Sequence, residues 1–138
     1  MSAMLDKARS FFEACETGKG WEACKSYCHA DATFSAQSGV LKGVDSLSAY
    51  TEWMKSLLTP IPDGHYELKC FAADEARKSV AAFAVFHGSN TGPGAAEPPT
   101  GKTVAADYVY VMVFDGDKIR HMTKIWNDTI SVQQLGWG

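Results

Sequence analysis

The stretch from Gly101 to Asp128, GKTVAADYVYVMVFDGDKIRHMTKIWND, constrains the fold more than any other. Val, Tyr, Met and Phe crowd the chain from Val104 to Phe114, Asp115-Gly116-Asp117 interrupts them, and Ile119 to Trp126 resumes an extended pattern. β-branched and aromatic residues on both sides of an Asp-Gly turn predict a long antiparallel hairpin from Lys102 to Asp128. A two-stranded hairpin is marginal in water unless another layer covers its apolar face. The rest of the chain must therefore supply that layer.

The upstream periodicity meets this need. Residues 3–17 place Met4, Leu5, Ala8, Phe11, Phe12 and Cys15 at helical spacing, and Gly18 and Gly20 end the run. A second short helical pattern covers Trp21 to Tyr27. Ala32 to Ala36 reads as a short strand. Val44 to Leu58 is a third helix, capped by Asp45 or Ser46 and stopped by Thr59-Pro60-Ile61-Pro62-Asp63-Gly64. The period then changes from helical to extended. His65 to Ala72 alternates, Asp74 to Arg77 turns, and Ser79 to His87 reads as a central strand. Gly88 to Gly101, rich in Gly and Pro, is a long loop, which in a small domain is functional or mobile. After the hairpin, Val132 to Gly138 reads as a short tail. Helices followed by antiparallel strands predict an α+β domain, and 138 residues fit one such unit over 1–138.

Four motifs occur in a particular order: His29-Ala30-Asp31-Ala32-Thr33-Phe34, Gly39-Val40-Leu41-Lys42-Gly43, Pro98-Pro99-Thr100-Gly101-Lys102 and Phe114-Asp115-Gly116-Asp117-Lys118-Ile119. Taken together the chain resembles the nuclear transport factor 2-like (NTF2-like) superfamily, in its ketosteroid isomerase and SnoaL-like polyketide cyclase branch. The resemblance implies a cone: three N-terminal helices packed on a strongly curved, mainly antiparallel sheet that encloses an apolar pocket. It also implies a homodimer formed through the outer sheet face.

Strand alternation then sorts side chains by face. The pocket set is Phe83, Val85 and His87 on one strand, Tyr108, Tyr110 and Met112 on the next, and Met122, Lys124 and Trp126 on the last. Phe12, Phe34, Trp53 and Leu57 complete it. Asp107, Val109, Val111 and Val113 face the other way. Three valines in a row make a poor solvent face, so this is the expected dimer surface.

The isomerase branch uses a carboxylate base and two acidic hydrogen-bond donors. Aligned on the motifs, those positions hold Ala36, Phe12 and Tyr110. The cyclase branch places an acid on the last strand with a partner on the strand before it; Lys124 and Tyr110 stand there. The usual catalytic carboxylates are thus missing from the expected positions. Tyr110, His87 and Lys124 remain as the candidate catalytic set. A His can exchange a proton near neutral pH, a Tyr can polarise a carbonyl, and a desolvated Lys can act as a base or form an imine.

The remaining features narrow the partners. With a net charge of −3, no nucleic-acid or anionic-membrane surface is expected. The N-terminal apolar pattern contains Asp6, Arg9 and Glu13, which excludes a signal-peptide core and points to a cytoplasmic location. Cys15, Cys24, Cys28 and Cys70 lack metal-site spacing and are read as buried structural thiols. No phosphate-cradling glycine motif is present, so neither metal nor cofactor is expected. Three functions stay open: an enzyme acting on a small hydrophobic carbonyl compound, a non-catalytic binder of such a ligand, and a dimerisation module.

Overall fold

The computed structural model describes residues 3–95 and 97–138. Helix α1 spans Ala3–Glu16, α2 Trp21–Cys24, α3 Leu47–Leu57 and α4 Asp128–Leu135. The strands are β1 Cys28–Gln37, β2 His65–Asp74, β3 Ser79–Ser89, β4 Thr103–Asp115 and β5 Lys118–Trp126. They form one five-stranded sheet in the order β1-β5-β4-β3-β2. The β1–β5 pair is parallel and the other pairs are antiparallel. The expected α+β architecture holds, with helices α1 and α3 on one face of a mixed, mainly antiparallel sheet.

Local chemistry explains the element ends. Helix α1 buries Ala8, Phe11, Phe12 and Cys15 along one stripe. It stops at Gly18, whose φ of 73° favours a residue without Cβ. There the Gly18 N–H donates to the Cys15 carbonyl at 3.1 Å and the Lys19 N–H to the Ala14 carbonyl at 3.1 Å, the double closure of a Schellman motif. A Cβ at Gly18 would also stand 2.5 Å from Leu58 Cδ1. Ser46 caps α3 by accepting the Ala49 N–H at 3.2 Å. Between β4 and β5, Gly116 takes φ 68° as the first of two turn residues, while Asp117 keeps negative φ. That is the glycine-first form of a two-residue hairpin turn.

Two expectations about strands and helices fail. The chain after β5 is a helix, α4, rather than a tail. Its sequence has little amphipathic pattern: only Ser131 and Leu135 are buried. Tertiary contacts hold it instead. The Gln134 side chain pairs with both the N–H and the carbonyl of Ala105, at 2.9 and 3.3 Å, where β5 no longer covers β4. Asp128, at the first turn, accepts the Val40 N–H at 2.8 Å.

The second failure is the face of β3. Phe83, Val85 and His87 do not point into the molecule; Val80, Ala82, Ala84 and Phe86 do. Register explains this. Ala82 pairs with Tyr110 and Ala84 with Tyr108, and paired residues share a face. Phe83 is 37% exposed, and His87 bonds Glu67 at 3.0 Å and stacks on His65 at 5.3 Å between ring centroids, all on the outer side. Size favours Phe and Val for the interior, but at the two positions opposite the tyrosines the inner face of this strand carries alanines, which make room for the phenol rings.

Among the cysteines, Cys15, Cys24 and Cys28 are buried and Cys70 is exposed, against the expectation for the last. No helix among the described residues is long and apolar enough to cross a membrane.

Candidate active site

Across the centre of the sheet, Ala82, Tyr110, Lys124 and Ala36 lie side by side on the inner face. The flanking alanines leave space for the phenol and the amine. One register step away, Ala84, Tyr108 and Trp126 form a second row. The C-terminal end of α1 packs over both rows and delivers Glu16, which is 2% exposed.

Glu16 is the carboxylate that the motif alignment lacked. Tyr108 donates to its Oε1 and Tyr110 to its Oε2. Two tyrosines spaced two apart on one strand face are placed to hold both oxygens of one carboxylate. The network continues through Tyr50 of α3, whose hydroxyl meets that of Tyr110. Tyr110 has spent its one proton on Glu16, so Tyr50 donates to Tyr110. Lys124 Nζ in turn donates to the Tyr50 oxygen at 2.9 Å. The result is a directed chain, Lys124 to Tyr50 to Tyr110 to Glu16, with Tyr108 as a second donor to the carboxylate.

Both ionisable ends are pushed toward neutrality. Burial raises the Glu16 pKa, and Lys124 and the two phenols only partly oppose it. Its place at the C-terminal end of a helix acts in the same direction as burial. Burial lowers Lys124 to about 8 against the pull of Glu16 and Cys15. Ring faces surround the amine: Trp126 at 4.5 Å, Tyr50 and Tyr108 at 5.2 Å, Trp53 at 5.3 Å and Tyr110 at 5.7 Å. Their quadrupoles favour the cation. The amine therefore sits where the charged and neutral forms are close in free energy at ordinary pH. Tyr50, Tyr108 and Tyr110 are all shifted upward, burial being the largest cause and Glu16 the next, so all three remain phenols.

This network borders a cavity of about 470 Å³. Glu16, Tyr108 and Lys124 are its polar floor, and Trp53, Leu57, Ile61, Phe86 and Trp126 are among its apolar walls. Val132, Leu135 and Trp137 close one side from α4 and the chain beyond it. The long loop contributes too: Gly94 and Ala95 line the cavity, while Ala96 of that loop lies outside the described residues. Buried Asn90 ties these parts together. Its Oδ1 accepts the Thr100 N–H and the Trp137 Nε1–H, each at 2.9 Å, and its Nδ2 donates to the Pro60 carbonyl at 2.9 Å. Val40 lines the cavity and is 46% exposed, so the space reaches solvent beside the 3-10 turn at Gly39–Leu41.

The sequence-derived candidates thus separate into three groups. Tyr108, Tyr110, Lys124, Trp53, Leu57 and Trp126 come together at the network and the cavity. Phe12, Phe34, Met112 and Met122 are buried in the core beside it; Phe34 stacks on Tyr50 at 4.4 Å and Phe12 meets Tyr110 edge-on at 5.6 Å. His87, Phe83 and Val85 lie on the opposite face of the sheet. Glu16, Tyr50 and α4 were not foreseen. Glu16 carried a signal: with Ala8 and Phe12 it follows the i, i+4, i+8 line of the buried stripe. Among the described residues no group of three or more His, Cys, Asp or Glu is placed to hold a metal.

A family model for SnoaL-like polyketide cyclases matches residues 6–135. The chain belongs to this family. No curated protein sequence matches it. Solved structures with the same fold include a candidate polyketide cyclase from Acidithiobacillus ferrooxidans, 20% identical, with 98% of this chain and 95% of that one covered and a TM-score of 0.78. AclR, a candidate hydroxylase from Streptomyces galilaeus, is 18% identical over 96% and 95% of the two chains, with a TM-score of 0.76. An NTF2-like protein of unknown function from Burkholderia pseudomallei is 11% identical over 98% of each, with a TM-score of 0.75. At these identities the likeness establishes the NTF2-like fold of this SnoaL-like chain and not its chemistry.

Proposed function

We propose that this SnoaL-like protein binds a small hydrophobic carbonyl compound in the cavity and moves a proton at the carbon beside the carbonyl, the step that isomerisation, cyclisation and dehydration share. The carrying observation is that Lys124 and Glu16 both open onto the floor of a mainly apolar cavity and are joined behind it by the buried hydroxyls of Tyr50 and Tyr110. Family membership supports the substrate class. In the proposed step one proton first passes from the Lys124 ammonium along the phenol chain to the Glu16 carboxylate; the resulting neutral amine removes the proton from the substrate carbon, and the Glu16 carboxyl gives one to the carbonyl oxygen. The phenols of Tyr50 and Tyr110 then return a proton from the ammonium to the carboxylate. Burial favours both starting forms, and water exclusion strengthens the hydrogen bonds that hold the developing charge.

Turnover of a panel of aryl enones and polyketide-like 3-oxo esters tests this reading. We expect activity in the wild type and a loss of about a hundredfold or more in Glu16→Gln, the usual scale for a removed acid or base. No turnover across the panel, or full activity in Glu16→Gln, refutes it. One observation favours a second reading, non-catalytic binding: all three phenols are already committed within the network. That reading expects a ligand to quench Trp53 or Trp126 fluorescence and leave chemically unchanged.

The proposal extends to a second copy of the chain as partner. On the outer face Phe83, Val109 and Ile125 form one row across three strands, with Val111 and Val113 beyond it and Asp107 at the edge. Phe83 and Ile125 are 37% and 46% exposed. An apolar row of this kind gains most from being covered.

A further inference from the structure

Lys124 has more chemistry than a proton shuttle needs. Its amine makes one hydrogen bond within the described protein, to Tyr50, lies among five aromatic rings and lines the cavity. A desolvated lysine amine beside an apolar binding space is the usual setting for a Schiff-base nucleophile. A carboxyl group that can give and take a proton lines the same cavity, and the phenol chain runs from Nζ to it. These are the parts that imine formation requires.

We propose that Lys124 is a nucleophile that condenses with a carbonyl carbon of a hydrophobic 1,3-dicarbonyl compound in the cavity to form an imine. This rests on the reading that the cavity takes a hydrophobic carbonyl compound. The Nζ lone pair attacks the carbonyl carbon, the C=O π electrons move to oxygen, and a proton passes from nitrogen to that oxygen, giving a carbinolamine. The nitrogen lone pair then forms the C=N bond as the C–O bond breaks. The departing hydroxide takes the Glu16 proton and leaves as water. The iminium N–H proton returns to the Glu16 carboxylate through Tyr50 and Tyr110, in the direction that their hydrogen bonds already point. Amine and carbonyl become imine and water, with no oxidant or reductant. With a 1,3-dicarbonyl the imine shifts to the conjugated enaminone, which is stable enough to isolate.

The probe is benzoylacetone, incubated with the intact protein between pH 6 and 10. Three readouts are used: near-ultraviolet absorbance of the enaminone, mass of the intact chain, and peptide mapping. Tryptophan fluorescence reports binding separately. The expected result is one adduct, the diketone less one water, mapped to Lys124. Its rate should rise with a midpoint near pH 8. At pH 8 the neutral fraction of Lys124 exceeds that of an ordinary lysine about a hundredfold. If nucleophilicity falls with basicity as it does for thiols, about tenfold faster labelling than at surface lysines remains. Lys124→Met should lose the adduct while the diketone still quenches fluorescence, which shows that the pocket is intact. Quenching of the wild type without an adduct overturns the imine and leaves the binding reading standing. Equal labelling of Lys124 and surface lysines overturns it too. Neither quenching nor adduct counts against both the imine and the substrate class on which it rests.

Discussion

Replacing Glu16 by Gln should lower the pKa of Lys124, and the size of the effect follows from the network. In the wild type the carboxylate and the amine are separated by three hydrogen bonds, a path of at most about 8 Å. At an effective dielectric of about 20, two unit charges that far apart attract by about 2 kcal/mol. That corresponds to about 1.5 pH units on the Lys124 titration. A second effect adds to it. The introduced side-chain amide can donate to the Tyr110 oxygen, which frees the Tyr110 proton to turn toward Tyr50 and the Tyr50 proton to turn toward Nζ. The reversed chain needs a lone pair on Lys124 and so selects the neutral amine. Titration of lysine side-chain carbons by NMR, with Lys124→Met used to assign the resonance, measures the midpoint directly. It should move from about 8 to below 7. A midpoint in Glu16→Gln equal to or above that of the wild type refutes the claim that a charged Glu16 supports the Lys124 ammonium through the phenols.

Tyr110→Phe keeps the ring packing but strands a Glu16 oxygen and the Tyr50 hydroxyl; urea denaturation should show a loss of about 2–6 kcal/mol, from about 1–3 for each buried unpaired group, and a loss under 0.5 kcal/mol would deny the network its structural weight. The pH dependence of stability has a definite sign: between about 8, where folded Lys124 titrates, and about 10.4 for the unfolded chain, only the unfolded state binds this proton. Stability of the wild type relative to Lys124→Met should therefore be flat below pH 8 and rise above it, by about 3 kcal/mol in all; a difference that stays constant to pH 10 contradicts the burial argument. On the outer face, Val109→Glu places a charge in the middle of the Phe83–Ile125 row, and sedimentation should find a dimer in the wild type and a monomer in the variant. A wild-type monomer at high concentration removes the proposed interface.

The hairpin, the α1 and α3 stripes and the inner face of β4 and β5 were legible in the residues because each is a local matter. Alternation puts Tyr108, Tyr110 and Met112 on one side of β4 and Met122 and Lys124 on one side of β5, while a one-residue register shift between Val113 and Phe114, beyond the Gly116 turn, brings the two sets opposite each other. What the residues alone could not settle was anything that depends on one element meeting another. The inner face of β3 follows from its pairing with β4, and there alanines are chosen because tyrosines stand opposite. Helix α4 has no amphipathic stripe to announce it; Gln134 and Asp128 anchor it to partners remote in sequence. Glu16 shows the division most clearly. Its spacing along α1 marks it as inward-facing from sequence, but an inward carboxylate is costly unless donors meet it. Only the packing of α1 over β4 brings Tyr108 and Tyr110 to its two oxygens, and only α3 brings Tyr50 to complete the link to Lys124. Periodicity determines which side chains turn inward; tertiary packing decides which of them share a proton.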